Sequence, residues 1–555
     1  MTVRWVVVGC FGVHPEAMTS SLRARVGAGL LGLALLLPIA AATPASAAAA
    51  DFPAGKTGYH TYAEMVADIN AVVAAHPAIA RKVSIGTSYQ GRTIWAVKIS
   101  DNVASDENEP EVLFDGLTHA DEHMGLEMAL KIMHWLVDGY ATTSRIANIV
   151  NSREVWIIPA VNPDGAEYDI SGGRFHYWRK NRQPNSGTSA IGTDINRNFG
   201  YRWGGGGRTS SNPAAITYRG PYAFSTPEAR RVRDFLASRV VNGRQQIRTA
   251  ITFHEAGRLV MWPYGYTYAD VPVDMTIDDR TALATIGRRM ASTNGYKPEQ
   301  ASDLYITSGT TRDFEYGTYR IFAYTFELSV VDYPDDSLIA SETGRNKESV
   351  LYLIERAWCP LSVLGAAIRT ARCGAFDDDL EVNRGWRVNL DGTDTASAGA
   401  WQRGDPQPTT TAAGRKQPDT VTSGRYAYVT GTAAGSSPNA NDLDGGRTTA
   451  TSPVIDLPAA AGQKLQFRWT FANDAAAVTG DELRVEVLDV AAATTTTVLV
   501  AHDIARERNA GWHLASFDLS AFAGRSVRVR FSAMDAGSNS LVEAGFDDVR
   551  VTMPQ

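Results

Sequence analysis

Cysteine is scarce in this sequence, with three residues in a chain of 555. This scarcity excludes a scaffold built on many disulfides and a structural zinc module built on cysteines. An excess of positive charge is also missing, because 53 Lys and Arg residues stand against 60 Asp and Glu residues. Proteins that bind nucleic acid or anionic membranes concentrate Lys and Arg, so we expect neither kind of partner. What remains, with 44% hydrophobic and 20% charged residues, is the composition of a globular protein.

A long apolar run occurs once, near the beginning of the chain. Residues 26–43 read VGAGLLGLALLLPIAAAT, follow Arg23 and Arg25, and precede a segment of small residues. A basic stretch, an apolar run and small residues predict a signal peptide within residues 1–50, with a mature start near 48–51. A membrane anchor of about 20 residues is the alternative, but the proline in the run and the small residues favour cleavage. We therefore expect a secreted, extracellular protein that is not stably inserted in a membrane.

The positions of the cysteines are also consistent with a secreted protein. Cys10 precedes the apolar run, and Met18 is an alternative start of translation that would leave Cys10 out. Cys359 and Cys373 remain, 14 residues apart. In an oxidising compartment an even pair predicts one disulfide, and two unpaired thiols are the alternative.

Up to about residue 375 the sequence alternates two kinds of pattern. Short apolar runs predict buried strands, and longer segments with apolar residues at helical spacing predict helices. The strand-like runs are 111–116, 154–161, 247–253 and 321–328, and the helical patterns include 124–139 and 226–240. Strands that alternate with helices favour an α/β domain with a mixed, mostly parallel sheet covered by helices. We place this domain at residues 51–374.

The pattern changes after residue 375. Thr, Ala, Gly, Asp and Val become frequent, and segments such as LQFRWTFAND (465–474) and ELRVEVLDV (482–490) alternate apolar with polar residues. Such alternation between turn-rich clusters predicts an all-β sandwich at residues 400–555, with 375–400 as the joint or the start of that domain. A disordered Thr-rich stalk is the alternative, and the recurring Trp and Phe residues favour the sandwich.

Three residues carry the clearest chemical signal. His119 and Glu122 follow directly after one predicted buried strand, and His254 ends another. Strand ends in an open α/β sheet are where functional side chains converge. Two imidazoles and one carboxylate form the ligand set of a hydrolytic zinc ion, which keeps one position open for water. Zinc lowers the pKa of that water and polarises a scissile carbonyl.

His123 offers a different ligand set. Residues 119–123 read HADEH and match the H-x-x-E-H motif, in which both His residues bind zinc from one helix face and the Glu is the base. That motif needs a helix through all five residues, whereas we predict a loop ahead of a helix that begins at Met124. We therefore expect His123 to stay outside the metal site.

Six segments give the sequence a family resemblance. In this order they resemble the zinc carboxypeptidases of the carboxypeptidase A type over roughly residues 55–370. The resemblance implies that family's α/β fold, one Zn²⁺, and hydrolysis of the C-terminal peptide bond of peptides or proteins. The segments are THADEH (118–123), YWRKNR (177–182), GTDINRNF (192–199), TFHE (252–255), LYITSGTTRDFEYG (304–317) and YTFEL (324–328).

The resemblance assigns the metal site and the base. It makes His119, Glu122 and His254 the zinc ligands and Asp194 the acid that orients His119, a role that ligand imidazoles normally require. It makes Glu327 the general base, which takes a proton from the zinc-bound water and passes it to the leaving amine. A carboxylate in a buried apolar strand is costly without a partner, and that cost also favours a functional reading of Glu327.

The resemblance also assigns the substrate contacts. Arg179 matches the residue that stabilises the oxyanion, and Asn196 and Arg197 match the pair that binds the terminal carboxylate. Tyr305 matches the tyrosine that closes over the bound end. A substrate with a free C-terminal carboxylate is therefore implied. The enzyme's first helix follows closely on the predicted cleavage site, so we expect no folded pro-domain.

Two positions depart from the family pattern. Asp121 replaces an Arg that is frequent between the first two ligands, so the preference upstream of the cleaved bond differs. Arg312 stands where the family has the floor of the pocket for the C-terminal side chain. By electrostatic logic Arg312 favours substrates that end in Glu or Asp. The alternative is that Arg312 turns away and pairs with a nearby carboxylate, namely Asp303, Asp313 or Glu315.

The segments NANDLDGGRTTATSPVIDL (439–457) and EAGFDDVRV (543–551) resemble a jelly-roll adhesion or carbohydrate-binding sandwich. That resemblance implies a carbohydrate or a cell surface as a second partner. Aspartates in the predicted turns offer oxygen ligands for Ca²⁺, and ordinary turn chemistry is the alternative reading. These aspartates are Asp442, Asp444, Asp547 and Asp548.

Two other functions are compatible with these observations. A peptidase of the same fold that trims peptidoglycan stem peptides is the nearest alternative. A catalytically inactive secreted binding or adhesion protein is an alternative of another class. The presence of ligands, base and carboxylate clamp together argues against the inactive protein.

Overall fold

The computed structural model describes residues 51–241, 243–502, 506–537 and 540–554. The predicted signal peptide, with Cys10 and Met18, lies outside the described residues. In the part of the chain that is described, none of the helices combines the length and the apolar character that crossing a membrane requires.

A sheet of eight strands forms the centre of the first part of the chain, in the order β1-β2-β4-β3-β7-β10-β8-β9. The neighbours β4, β3, β7 and β10 pair in parallel, and antiparallel strands flank them. The predicted mixed sheet is therefore confirmed. The strands are Ala80–Thr87 (β1), Thr93–Ile99 (β2), Glu111–Asp115 (β3), Glu154–Ile158 (β4), Val240–Val241 (β5), Arg244–Gln245 (β6), Ile247–Glu255 (β7), Leu259–Trp262 (β8), Lys297–Gln300 (β9) and Phe322–Leu328 (β10), of which β5 and β6 form a separate hairpin.

Several helices begin at a capping side chain. Thr61 accepts a hydrogen bond from the Glu64 amide at the start of α1, and Thr226 caps α5 ahead of a proline. The helices are Tyr62–Ala75 (α1), Met124–Gly139 (α2), Ser144–Val150 (α3), Pro163–Asp169 (α4), Pro227–Ser238 (α5), Ile277–Asn294 (α6), Ala301–Leu304 (α7), Thr311–Tyr319 (α8), Ile339–Arg345 (α9), Lys347–Arg356 (α10) and Ala366–Arg372 (α11).

Both faces of the central sheet are buried, because successive side chains of a strand point to opposite faces. On β3, Val112 and Phe114 belong to a core shared with α2, α6 and α10, whereas Leu113 belongs to a second core shared with α5. All five residues of β3 are buried. A strand buried on both faces reads as a continuous apolar run, which is why the sequence pattern identified it.

The second part of the chain consists of antiparallel strands in two six-stranded sheets. One has the order β13-β16-β24-β19-β22 with β11 beside β24, and the other β12-β17-β23-β20-β21 with β18 beside β23. The strands are Phe376–Asp378 (β11), Arg387–Val388 (β12), Trp401–Gly404 (β13), Thr409–Thr411 (β14), Gly414–Gln417 (β15), Ala427–Thr430 (β16), Gly446–Thr451 (β17), Ile455–Asp456 (β18), Lys464–Asn473 (β19), Glu482–Asp489 (β20), Thr494–Ala501 (β21), His513–Asp518 (β22), Ser526–Asp535 (β23) and Val542–Val551 (β24).

The two sheets share one hydrophobic core, which confirms the predicted β-sandwich. Phe531 of β23 stacks on Phe546 of β24 at a ring-centroid distance of 3.8 Å, across the two sheets. Just before the sandwich, Cys359 and Cys373 are joined in a disulfide. The strand β11 follows three residues after Cys373, so the chain enters the sandwich directly from α11.

Candidate active site

Three ligand-type side chains meet at the carboxyl edge of the central sheet. His119 Nδ1 lies 2.7 Å from Glu122 Oε1, and His254 Nδ1 lies 2.7 Å from Glu122 Oε2. The two Nδ1 atoms are 3.0 Å apart, and all three side chains are buried. The loop after β3 carries His119 and Glu122, and the adjacent parallel strand β7 carries His254. The structure therefore brings the three predicted ligands together.

The donor set fits a zinc ion. His119 Nε2 lies 3.2 Å from Asp194 Oδ1, and a carboxylate there holds the ring proton on Nε2 and leaves the Nδ1 lone pair free. His254 Nε2 lies 3.3 Å from Thr252 Oγ1, and burial lowers the pKa of His254 to about 4, so this ring is neutral at pH 7. Two imidazoles and a carboxylate whose donor atoms converge on one point are the set that binds Zn²⁺.

The carboxylates of the cluster are held in their charged form. Burial alone would raise the pKa of Glu122, but its interactions with the His119 ring, and then with the His254 ring, outweigh burial and hold that pKa well below its usual range. Arg179 connects Glu122 with Asp194. Its Nη1 donates to Glu122 Oε1 at 3.1 Å, and its Nε donates to Asp194 Oδ2 at 3.2 Å. The guanidinium thus lies directly beside the ligand cluster, where the family resemblance predicts it.

Glu327 lies one strand away from the third ligand. The parallel register of β7 and β10 pairs Glu327 with His254, so the two side chains project at the same edge of the sheet. Burial, and then the charge of Glu122, raise the pKa of Glu327 to about 8. The arrangement provides a titratable carboxyl group next to the ligand cluster that is not itself one of the three clustered ligands.

Asn196 and Arg197 belong to one short turn and are both buried. Arg197 Nε donates to the carbonyl of Arg208 at 2.8 Å, and Nη1 donates to the carbonyl of Asn196 at 2.8 Å. These bonds fix the guanidinium in place. Asn196 Nδ2 lies 3.3 Å from His254 Nε2, a contact with a zinc ligand that we did not predict.

Tyr305 follows α7 in extended backbone and is partly buried. The guanidinium of Arg208 lies 5.0 Å from the centre of its ring. Tyr305 is also close enough to Arg179 to act on its charge. Tyr305 therefore lies near Arg208 and within electrostatic range of Arg179.

Arg312 is buried, with 4% of its surface exposed. Its Nη1 donates to Thr325 Oγ1 at 2.9 Å, and its Nε donates to Asp313 Oδ1 at 3.3 Å. Of the three carboxylates considered as partners, Asp313 is the one that forms the ion pair. The charge of Arg312 acts on Glu327 as well, so the guanidinium lies within electrostatic range of that carboxyl group.

Asp121 lies between two ligands and is half-buried. Its Oδ1 atom is buried without a hydrogen-bond partner among the described residues. Burial, and then the charge of Glu122, raise its pKa to about 6. An arginine at this position would carry the opposite charge.

His123 takes no part in the ligand cluster, as expected from its place ahead of α2. His123 Nε2 lies 3.0 Å from Asp169 Oδ2, which also accepts a hydrogen bond from the Tyr333 hydroxyl at 2.9 Å. Asp169 Oδ1 accepts from the amide of Trp178 at 2.7 Å, next to Arg179. This network ties the loop that carries Arg179 to the start of α2. We did not predict Asp169, and a single acidic residue in a loop gave little signal.

Two further buried acids support the site and were also missed. Glu255 Oε1 accepts a hydrogen bond from the amide of Met124 at 2.7 Å and so holds the first residue of α2. Asp115 accepts a hydrogen bond from Thr252 at 2.8 Å, and burial raises its pKa to about 7. Both are acidic residues at the ends of apolar strands, and that position was a signal available in the sequence.

Other acidic groups close enough to hold a metal ion occur only before the sandwich, among the residues described. One group contains Asp101, Glu107 and Glu109, and the other contains Asp106, Glu111 and Glu154. The aspartates for which we considered Ca²⁺ form no such group. Instead Asp442 accepts a hydrogen bond from the amide of Val542, and Asp547 accepts from Thr422. The expected calcium site therefore finds no support.

Comparison with known proteins agrees with this geometry. The family model described as zinc carboxypeptidase matches residues 65–349. A zinc carboxypeptidase from Saccharothrix mutabilis subsp. capreolus is 48% identical over 320 residues, which cover 57% of this chain and 73% of the relative. Carboxypeptidase A2 from Mus musculus is 30% identical over 313 residues, covering 56% of this chain and 70% of the relative.

Among solved structures, the carboxypeptidase A from Helicoverpa Armigera aligns with 55% of this chain and 75% of its own, at 25% identity and a TM-score of 0.49. The family model covers half of the chain, and the bacterial relative is nearly half identical over most of its length. Together with the His-Glu-His cluster, these matches show that the chain belongs to the zinc carboxypeptidase family and is a metallocarboxypeptidase that uses Zn²⁺.

Proposed function

We propose that this enzyme is secreted and releases the C-terminal residue of peptides, with Glu327 as general base. The observation that carries the proposal is the register of β7 and β10, which sets Glu327 beside His254 at the edge where the ligand cluster lies. His119, Glu122 and His254 hold the metal. Bound zinc supplies a water of lowered pKa and polarises the scissile carbonyl.

The side chains around the cluster divide the remaining work. Glu327 accepts a proton at its carboxylate and returns it to the nitrogen of the departing residue. Arg179 donates to the oxygen on which negative charge develops, since its guanidinium is already held next to the ligands. Asp194 keeps the proton of His119 on Nε2 and so keeps Nδ1 directed at the metal.

We assign recognition of the substrate's C-terminal end to Asn196, Arg197 and Tyr305. Arg197 and Asn196 bind the terminal carboxylate, because a planar guanidinium donates two parallel hydrogen bonds to such a group. Tyr305 closes over the bound residue. An internal peptide bond has no carboxylate next to it for Arg197 and Asn196 to bind. The reaction is therefore confined to the last residue of the peptide.

The side-chain preference is assigned to Arg312. Its buried charge favours a C-terminal Glu or Asp, and its ion pair with Asp313 reduces that preference below what an unpaired arginine would give. Asp313 is fixed in this role, because the Gly265 amide donates to its carboxylate at 2.9 Å. We expect hydrolysis of acidic ends first, apolar ends second and basic ends last.

The experiment is a screen of peptides that differ only in the last residue, with zinc content measured on the same sample. Peptides ending in Glu, Phe and Lys test the preference, and a peptide with an amidated end tests the clamp. We expect the highest kcat/KM for Glu and no hydrolysis of the amide. Cleavage of the amidated peptide would contradict the exopeptidase assignment, and a preference for Phe or Lys would contradict the role of Arg312.

A variant of Arg312 tests the side-chain preference separately from the exopeptidase activity. Arg312→Met replaces the charged side chain with a flexible apolar one. We expect the preferred C-terminal residue to change from Glu to Phe, while the zinc content stays the same. Cell-wall stem peptides in the same assay address the peptidoglycan alternative. Secretion is tested by the mass of the protein recovered from the culture medium, which we expect to begin near residues 48–51.

A further inference from the structure

A cavity lies at the opposite end of the central sheet from the metal ligands. It has a volume of about 330 Å³ and is lined by the first residues of β7 and β10 and by residues 377–384 at the start of the sandwich. We call it the junction cavity. Arg248, in its wall, precedes His254 by six residues on β7, which places it about 20 Å from the active site at the rise of a strand.

The arginines of this cavity differ in the number of ion pairs that they form with acidic side chains. Arg372 is compensated, because it forms ion pairs with Asp377 at 2.9 Å and with Asp278 at 3.2 Å. Arg248, by contrast, has no hydrogen bond or ion pair among the residues described. Asp377, the one acid whose charge acts on Arg248, is already shared between Arg372 and Arg550, the latter at 2.9 Å.

Two further arginines add positive charge beside Arg248. Arg244 donates only to the carbonyl of Ala375, at 3.2 Å. Arg384 lines the cavity, its Nε stands 3.5 Å from Asp378, and that buried nitrogen makes no hydrogen bond within the described residues. Burial, and then the charges of Arg244 and Arg384, hold the pKa of Arg248 well below its usual range. The charges of Arg244 and Arg384 repel that of Arg248. Three carboxylates, Asp279, Asp377 and Asp379, also line the cavity, and a bound anion would reduce the remaining repulsion.

We propose that the junction cavity binds a small oxyanion such as inorganic phosphate or sulfate, with Arg248 and Arg384 as its ligands. Each guanidinium presents N–H groups in a fixed plane that matches two oxygens of such an anion. Arg244 adds charge from the adjacent hairpin. Because Arg248 belongs to the central sheet and Arg384 to the start of the sandwich, the anion links the two parts of the chain and stabilises their contact.

The test is thermal unfolding of the full chain in increasing phosphate, with sodium chloride adjusted to keep the ionic strength constant. We expect a saturable rise in Tm of at least about 2 °C, because a ligand that binds only the folded state stabilises it. Arg248→Gln is expected to abolish that rise. It is also expected to melt at or above the unaltered protein in chloride alone, since it removes one of several neighbouring positive charges that repel one another.

Arg233→Gln on α5 is the matched control, because Arg233 pairs with Asp234 at the surface. Its response to phosphate is expected to equal that of the unaltered chain. Arg179 and Arg197 remain in all variants, so anion binding at the active site cannot imitate the loss. A saturable rise that persists in Arg248→Gln, or no rise beyond that in chloride, would overturn the proposal.

Arg384→Gln is the second variant and decides the matter if Arg248→Gln fails to fold. Loss of the phosphate response in Arg384→Gln supports the site, and an unchanged response refutes it. Peptide hydrolysis provides a separate readout, since neither arginine touches the proposed catalytic groups. We expect kcat and KM of both variants to stay within about twofold of the unaltered enzyme, so the result is independent of the peptidase assignment.

Discussion

Glu327, the proposed general base, is a carboxyl group in an unfavourable environment. Glu327 lies on a strand whose other residues are buried, and burial together with the charge of Glu122 raises its pKa to about 8. A cation at the ligand cluster lowers the pKa of a neighbouring acid, because it favours the charged form. With a metal ion bound, the pKa of Glu327 is therefore set by two opposing effects.

Glu327→Gln tests this assignment at the scale of a single residue. The amide keeps the size of the side chain but accepts no proton, so we expect kcat to fall by about 10²- to 10⁴-fold. Zinc content is expected to stay at one ion per chain, because the three clustered ligands remain. The measurement is steady-state hydrolysis of the best peptide, with metal analysis of the same preparation.

Glu299→Gln is the control for that variant. Glu299 is also buried, but it lies on β9 and pairs with Lys297 outside the ligand cluster. We expect its activity to match that of the unaltered enzyme. Unchanged peptide release by Glu327→Gln would overturn the mechanism.

At the scale of elements, the ligand loop is held by a close approach between a strand end and a helix. A Cβ atom added at Gly116, directly after β3, would lie 2.3 Å from the carbonyl oxygen of Gly125 in α2. Backbone atoms cannot move aside as a flexible side chain can. The glycine therefore allows the loop with His119 and Glu122 to turn between β3 and α2.

Gly116→Ala is expected to displace this loop. We expect the free energy of unfolding to fall by about 1–3 kcal/mol, as for overpacking in a core, and the affinity for zinc to fall with it. Urea unfolding measures the first effect, and zinc retained after dialysis against a chelator measures the second.

Gly344→Ala in α9 is the matched glycine variant. A Cβ atom there would meet nothing within 4 Å, and alanine favours a helix by up to about 1 kcal/mol over glycine. We expect this variant to be as stable as the unaltered chain or slightly more stable. Equal stability and equal zinc retention in the two variants would contradict the role given to Gly116.

At the scale of the whole molecule, the chain contains two hydrophobic regions that meet near residue 375. The cores on the two faces of the central sheet are formed by residues before that point, and the core of the sandwich by residues after it. The disulfide between Cys359 and Cys373 closes a short loop just before the junction. A loop closed by a disulfide loses entropy in the unfolded chain, and this stabilises the folded state.

Replacement of both cysteines by alanine is expected to lower the free energy of unfolding by about 3 kcal/mol, the value for a loop of this length. Activity at 25 °C is expected to remain, because the ligands and Glu327 lie on other elements. Thermal unfolding of the oxidised protein, the reduced protein and the double variant measures the effect. Equal Tm values for the oxidised and reduced forms would contradict it.

Local patterns were enough to predict several strands and helices beside the site and the three clustered residues. The apolar runs at 111–116 and 247–253 correspond to β3 and β7, and the helical pattern at 124–139 corresponds to α2. Because functional residues follow the ends of such strands, His119, Glu122 and His254 were accessible from their sequence positions. His123 was excluded on the same local ground, since a loop and not a helix precedes α2.

The sequence by itself thus determined the fold class, the metal ligands and the family, because each depends on residue type and short-range order. Only the tertiary structure decided that Arg312 pairs with Asp313 and that Asn196 contacts His254. It alone revealed the unpaired Arg248 in the junction cavity, where segments more than 100 residues apart in the chain meet. The physical reason is that charge pairing depends on distances in the folded chain, and those distances are not encoded in the local pattern of any one segment.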